Sequence, residues 1–135
     1  MRRRLATALA ALVCPLAACG PEPAPERSPR AVIGDFLAAS RAADGRRMCE
    51  LYSDDYRTLG ARDPDNEEGL SCEALAEAYA RRYGRERHRV LRVEERGDVA
   101  VATLSCEDST ASDCSLPLVK EDGEWKIDGS LSPND

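Results

Sequence analysis

The chain has 135 residues, a formal net charge of −6 at pH 7, six cysteines and only six aromatic residues. An acidic chain argues against nucleic acid as a partner. Few aromatics mean that a small core must draw on other constraints for stability.

Met1-Arg2-Arg3-Arg4 is a positive start, and Leu5 to Val13 is an apolar run of nine residues. That is about half the roughly 20 needed to span a bilayer, so a removable leader is expected in place of a permanent span. Cys14-Pro15 breaks the run, and Leu16-Ala17-Ala18-Cys19-Gly20 follows. A Leu three residues before a Cys, with small residues between, resembles the lipobox of bacterial lipoproteins. The resemblance implies cleavage after Ala18 and lipid on the Cys19 thiol. Two acyl chains hold a protein on a membrane durably where one does not. The expected location is therefore the extracytoplasmic face of the cell membrane. Loss of three arginines would take the net charge to −9.

Residues 19–30 form the next unit, with four prolines between Gly20 and Arg30 and almost nothing apolar. Such a segment is expected to stay extended, as a tether that lifts the domain off the lipid. Residues 31–135 then make one domain of ordinary size.

Ser28-Pro29 supplies a hydroxyl cap and a proline for a first helix reaching about Ala43, with Ile33, Phe36, Leu37 and Ser40 at helical spacing. Asp44-Gly45 ends it and opens a short second helix, Arg46 to Ser53. Thr58 to Gly69 reads as a polar loop. Asp63, Asp65 and Glu67 have the one-three-five spacing of a calcium loop, but Glu68 stands where glycine is needed and Ala74 where the bidentate Glu belongs, so calcium is not expected. Ser71 caps a third helix ending at Tyr83-Gly84, with Cys72, Leu75, Ala76, Tyr79 and Tyr83 on one face.

After Gly84 the apolar period becomes two. Strands are expected at Arg89–Glu94, Val99–Cys106, Ser115–Lys120 and Glu124–Asp128, with turns at Gly97-Asp98 and Asp122-Gly123. Pro117 lacks a ladder donor and belongs at an edge or a bulge. Alternation puts Arg87 and Arg89 on the face of Leu91 and Val93. Helices followed by a strand meander give an α+β fold, helices packed on a curved antiparallel sheet.

With Cys14 in the leader and Cys19 lipidated, Cys49, Cys72, Cys106 and Cys114 remain. An even count in an exported domain reads as disulfides. Three pairings are open, and proximity favours Cys49–Cys72 with Cys106–Cys114, contributing roughly 3.5 and 2.5 kcal/mol. One histidine and no Cys-x-x-Cys pair give no metal set.

The first helix, the short Cys-bearing second helix, Gly97-Asp98-Val99-Ala100-Val101-Ala102 and Asp122-Gly123-Glu124-Trp125-Lys126-Ile127 together resemble the cone-shaped superfamily of nuclear transport factor two and ketosteroid isomerase. Within it, the resemblance is to small bacterial lipoproteins without an assigned activity. It implies a sheet curved around helices, a pocket between them, and pairing of copies through the sheet.

Enzymes of that superfamily set a carboxylate base and a phenol donor in the cone. Asp35, Asp54, Asp55, Tyr52 and Tyr56 are the residue types that could imitate the pair, but none aligns with a catalytic position and none is assigned as catalytic. Asp54-Asp55 reads as a turn or cap. His88 reads as a surface residue of an edge strand. Trp125 and Ile127 share one face, in the core or against Phe36. Seven arginines lie between Arg81 and Arg96, which reads as a solvated surface or as a basic lip for an anion.

The expected function is a lipid-anchored, non-enzymatic binder of a small ligand or envelope protein, with an isomerase, dehydratase or cyclase as the alternative. A homodimer is a further expected partner state. No cofactor is expected. Phe36, Tyr79, Tyr83, Arg87, Arg89 and Trp125 are the candidate ligand contacts.

Overall fold

The computed structural model describes residues 24–62, 66, 68–106 and 113–134. The leader and Cys19 lie outside these residues, as do Asp63, Asp65 and Glu67. No helix among the described residues is long and apolar enough to cross a membrane.

Four helices precede the strands. Helix α1 spans Pro29–Arg41, and the Ser28 side chain accepts from the Ala31 N–H at its start. Helix α2 spans Gly45–Leu51 behind an Asp44 cap. Helix α3, Asp54–Ala61, stands where a loop was expected. Its start is well marked: Ser53 accepts from the Tyr56 N–H at 2.9 Å, and Asp54 and Asp55 lie in the first turn, where helix N-termini favour acids. Helix α4, Cys72–Tyr83, runs from a Ser71 cap to Gly84.

The sheet follows as β1 (Val90–Arg96), β2 (Val99–Ser105), β3 (Asp113–Glu121), β4 (Glu124–Ile127) and a short β5 (Ser132–Pro133). Its order is β1-β2-β3-β4, and β5 pairs with β3 beyond the end of β4. All strand pairs are antiparallel. Asp122 and Gly123 both take positive φ, as the two-residue hairpin requires.

Pro117 occupies the inner strand β3, not an edge. Its carbonyl accepts from the Asp128 N–H at 2.9 Å, so its own nitrogen faces the same side, in the interval between β4 and β5. The missing donor therefore costs no ladder bond. A register shift between Val90 and Arg92 overturns the expected alternation of β1. Val90 and Val93 turn toward the core, while Leu91 is 44% exposed. Arg87 and Arg89 consequently do not share an inward face with Leu91.

The core lies between α1, α2 and the inner sheet face. Ile33, Met48, Ala102, Leu104, Leu116 and Ile127 are each 0% exposed. On the outer face Val99 and Val101 are exposed, opposite Val119 and Pro117 of β3. Cys49–Cys72 and Cys106–Cys114 pair as expected, at Cα separations of 6.0 and 5.8 Å. The first joins α2 to the start of α4, and the second joins the ends of β2 and β3.

Gly45 shows how closely α2 and α4 approach: a Cβ there would lie 2.1 Å from the Glu73 carbonyl and 2.8 Å from the Glu77 nitrogen. Both obstacles are backbone, so Gly45→Ala should cost about 2 kcal/mol or more through overpacking. Gly34 in α1 meets nothing within 4 Å, so Gly34→Ala should gain about 0.5–1 kcal/mol. Denaturant midpoints of the two variants should move in opposite directions.

Candidate functional site

A cavity of about 260 Å³ opens between the helices and the chain that follows β4. Phe36 reaches it from α1 and Tyr52 from the junction of α2 and α3. Tyr56, Arg57 and Gly60 come from α3, and Cys72, Leu75, Ala76 and Tyr79 from α4. Asn66, Ser130 and Leu131 complete the lining. The lining is mainly apolar and aromatic, the usual make-up of a small-molecule pocket.

The aromatic wall is built in steps. Phe36 and Tyr52 lie 5.7 Å apart between ring centres, and Tyr56 meets Tyr52 edge-on at 4.9 Å. Tyr52 is held by the α2–α3 junction, where a parallel bridge joins it to Ile127. The adjacent Ser53 N–H donates to the Ile127 carbonyl at 2.8 Å. Ser53 is fully buried; its hydroxyl donates to the Asp128 carboxylate at 2.5 Å while accepting from Tyr56. One serine thus caps α3, ties it to the sheet and sets the direction of Tyr56.

Burial pushes the Tyr52 phenol well above the ordinary tyrosine range, with Tyr56 and Tyr79 adding to the rise. Burial also raises Tyr79, followed by the Glu86 carboxylate. Both phenols therefore stay protonated at neutral pH and can donate a hydrogen bond. Arg57 is the only cation lining the cavity among the described residues, and it pairs with Asp54 one turn back. Asn66 fixes the approach to α4: Leu70 N–H donates to its side-chain oxygen at 2.8 Å, and its amide donates to the Leu70 carbonyl at 3.1 Å.

Of the candidate ligand contacts, Phe36 and Tyr79 line this cavity. Tyr83 packs on Tyr79 at 4.9 Å, outside the lining, with the Arg82 guanidinium 5.3 Å from its ring centre. Trp125 borders a second cavity of about 280 Å³, between residues 24–27 and β4. The Lys120 ammonium stands 4.9 Å from the Trp125 ring centre. Arg87 and Arg89 are exposed and border neither cavity.

None of the carboxylates considered for acid–base chemistry lines the cavity among the helices. Asp35 pairs with Arg27 and with Arg47, the latter at 3.3 Å. The Asp54 N–H donates to the Glu121 carboxylate at 3.1 Å, and Asp55 is exposed in the first turn of α3. His88 is not the surface residue expected of an edge strand. Its side chain is 9% exposed, its Nδ1 lies 3.0 Å from the Ser105 carbonyl, and its Nε2 lies 3.5 Å from Glu86. It braces the start of β1 against the end of β2, 3.9 Å from Cys106 Sγ.

Leu131, Ser130, Gly60 and Arg57 belong to the lining without having been expected there. The first two arrive because the C-terminal chain doubles back to pair as β5. The other two depend on α3.

Helices covering one face of an open antiparallel sheet, with a cavity among the helices, define the cone-like α+β class of nuclear-transport-factor-two-like proteins. The family described as the SnoaL-like domain matches residues 30–130, and the chain belongs to that family. Among solved structures, one from Thiobacillus denitrificans, described as a calcium/calmodulin-dependent protein kinase type II association domain, is 16% identical. The similarity covers 82% of this chain and 98% of that one, with a TM-score of 0.50. A nuclear-transport-factor-two-like protein of unknown function from Cytophaga hutchinsonii is 11% identical over 82% of this chain and 95% of that one, at a TM-score of 0.48. The comparison with curated proteins found no match.

Tyr52 supplies a pH test. A phenol whose pKa is higher in the folded than in the unfolded chain keeps its stability contribution below the unfolded value, about 10, and loses it as pH rises beyond that. Wild-type stability should therefore fall as pH rises above about 10, by up to roughly 1.4 kcal/mol per pH unit for one group. Tyr52→Phe should flatten that fall, as read by urea midpoints across the alkaline range.

Proposed function

We propose that this chain is an exported lipoprotein, anchored through Cys19 on the outer face of the cell membrane, whose SnoaL-like domain binds a small, largely apolar ligand. The family spans enzymes and non-enzymatic binders, so the reading rests on the cavity. Its described lining offers aromatic and aliphatic walls, buried protonated phenols and one arginine, but no carboxylate or imidazole. Proton abstraction next to a carbonyl needs a base beside the substrate, and no described lining residue supplies one. An apolar body held by Phe36, Leu75 and Leu131, with a polar end toward the phenols or Arg57, matches what is present.

The anchor is supported by the leader's order of charge, apolar run, small residues and Cys, and the two cysteine pairs are consistent with an oxidising compartment. Intact mass of the cellular protein should show a diacylated Cys19 as first residue; retention of Met1 would overturn this part.

For the cavity, native mass spectrometry of the lipid-free domain from an oxidising host should show a retained small molecule. The same spectra report whether copies pair. Leu75→Trp should fill the cavity, remove the retained mass and weaken an environment-sensitive fluorescent apolar probe by at least about tenfold, equivalent to roughly 1.4 kcal/mol. Unchanged probe affinity in a folded Leu75→Trp protein would count against the cavity as the site.

A further inference from the structure

We infer that a row of five arginines along the exposed side of α1, Arg30, Arg41, Arg85, Arg87 and Arg89, binds the anionic head groups of a phospholipid bilayer. The choice of a bilayer as partner rests on the Cys19 anchor, while the row itself is a property of the folded domain.

Residues 84–90 run beside α1 in the opposite direction. At one end a Cβ on Gly84 would lie 2.3 Å from the Ser40 carbonyl, and at the other the Arg30 guanidinium donates to the Val90 carbonyl at 3.4 Å. Ser40 and Arg30 are about 15 Å apart along the helix, a span that six residue steps of about 3.3 Å can cover. Between these ends exposure alternates: Arg85, Arg87 and Arg89 are exposed, while Glu86 and His88 are half-buried. The alternation has a local cause. His88 Nδ1 lies 3.0 Å from the Ser105 carbonyl and its Nε2 lies 3.5 Å from Glu86. The imidazole therefore holds the one acid of this segment inward and leaves the three arginines outward.

Helix α1 extends the row. Arg30 and Arg41 are exposed and lie eleven residues apart, about three turns, so they share one side of the helix. The exposed positions between them include Ala31, Gly34 and Ala38, all small, so the arginines stand above a low floor. None of the five forms an ion pair among the described residues. On the neighbouring elements the acids are engaged: Asp35 with Arg27 and Arg47, Glu77 with Arg81, and Glu94 with Arg92. Unpaired cations gathered in one row of an acidic chain are a ready contact for an anion.

The shape of the row indicates the kind of partner. None of the five borders either cavity, so the contact is a surface and not an enclosed molecule. The small floor of α1 offers no large apolar side chain to insert, which confines the contact to head groups. Arg27 pairs with Asp35 just ahead of α1, so the chain leading back to Cys19 departs beside Arg30. The negative charge elsewhere on the domain is screened beyond about 8 Å at physiological salt. An anchored domain also meets the bilayer at an effective concentration of about millimolar, so a weak attraction suffices.

The test uses the full mature chain with Cys19→Ser, which carries no lipid, in flotation with vesicles. Partition onto an equal mixture of phosphatidylcholine and phosphatidylglycerol should exceed that onto phosphatidylcholine alone by at least about tenfold, and should fall as salt is raised. Combining Arg85→Gln, Arg87→Gln and Arg89→Gln should lower it by about tenfold or more. Combining Arg46→Gln, Arg62→Gln and Arg96→Gln makes the same change in charge elsewhere on the surface and should lower it by less than about threefold. Equal losses in the two triple variants, or no preference of the Cys19→Ser chain for anionic vesicles, overturn the row as the binding face. Tighter binding to soluble inorganic polyphosphate than to the mixed vesicles, compared at equal phosphate, overturns the bilayer as its partner. An unmodified Cys19 on the cellular protein together with the expected vesicle partition would sink the anchor and support the row, so the two failures are distinguishable.

Discussion

The contact on which the rest of the molecule depends is that of α1 with the inner face of the sheet. Val32 and Ile33 from the helix, Met48 from α2, and Leu104, Leu116, Leu118 and Ile127 from three strands are all essentially excluded from water. Burying such side chains contributes about 1.5–3 kcal/mol each before the entropy of ordering them is counted. That contact fixes the line of α1, beside which Arg27 pairs with Asp35 and against whose last turn Gly84 packs at the Ser40 carbonyl. Phe36, one turn beyond Val32, then points into the cavity as a consequence of the same packing. Small alanines at 100 and 102 let the helix layer approach β2 closely, while the larger Val99 and Val101 lie outside.

The sheet was legible where residues close in the chain determine it. Gly97-Asp98 and Asp122-Gly123 mark hairpins through local backbone chemistry, and alternation in β2 follows from one buried face. Helices α1 and α4 were equally plain, because a hydroxyl cap and a helical apolar stripe coincide in each. Helix α3 was overlooked since its composition is polar and it buries little beyond Tyr56. Its signal was nevertheless present in Ser53 followed by two aspartates. Only a hydrogen bond to Asp128, 75 residues away, makes that cap rigid, and no local pattern encodes such a partner.

The site was half legible for a related reason. Phe36 and Tyr79 sit on long amphipathic helices whose inward faces can be counted off. Arg87 and Arg89 were projected inward from strict alternation, and one extra residue in β1 reversed the projection. Trp125 was correctly expected on the face of Ile127, yet it borders residues 24–27 and not the cavity among the helices. Leu131 reaches the lining by a return of the chain that carries no periodic signal. The same distinction explains why membership of the SnoaL-like family does not decide the chemistry: the shared framework sets where a cavity forms, and residues on irregular segments set what it can hold.

The bond between Cys106 and Cys114 has a consequence for the integrity of the molecule. It joins the strands on either side of the connection between β2 and β3, at the open end of that hairpin. A proteolytic cut anywhere between these two cysteines would leave one covalent molecule with its ladder of strand pairs joined. The break would pass unnoticed in a non-reducing gel and appear as two fragments only after reduction. The connection is thus a place where the chain can be cut without separating the helices from the later strands.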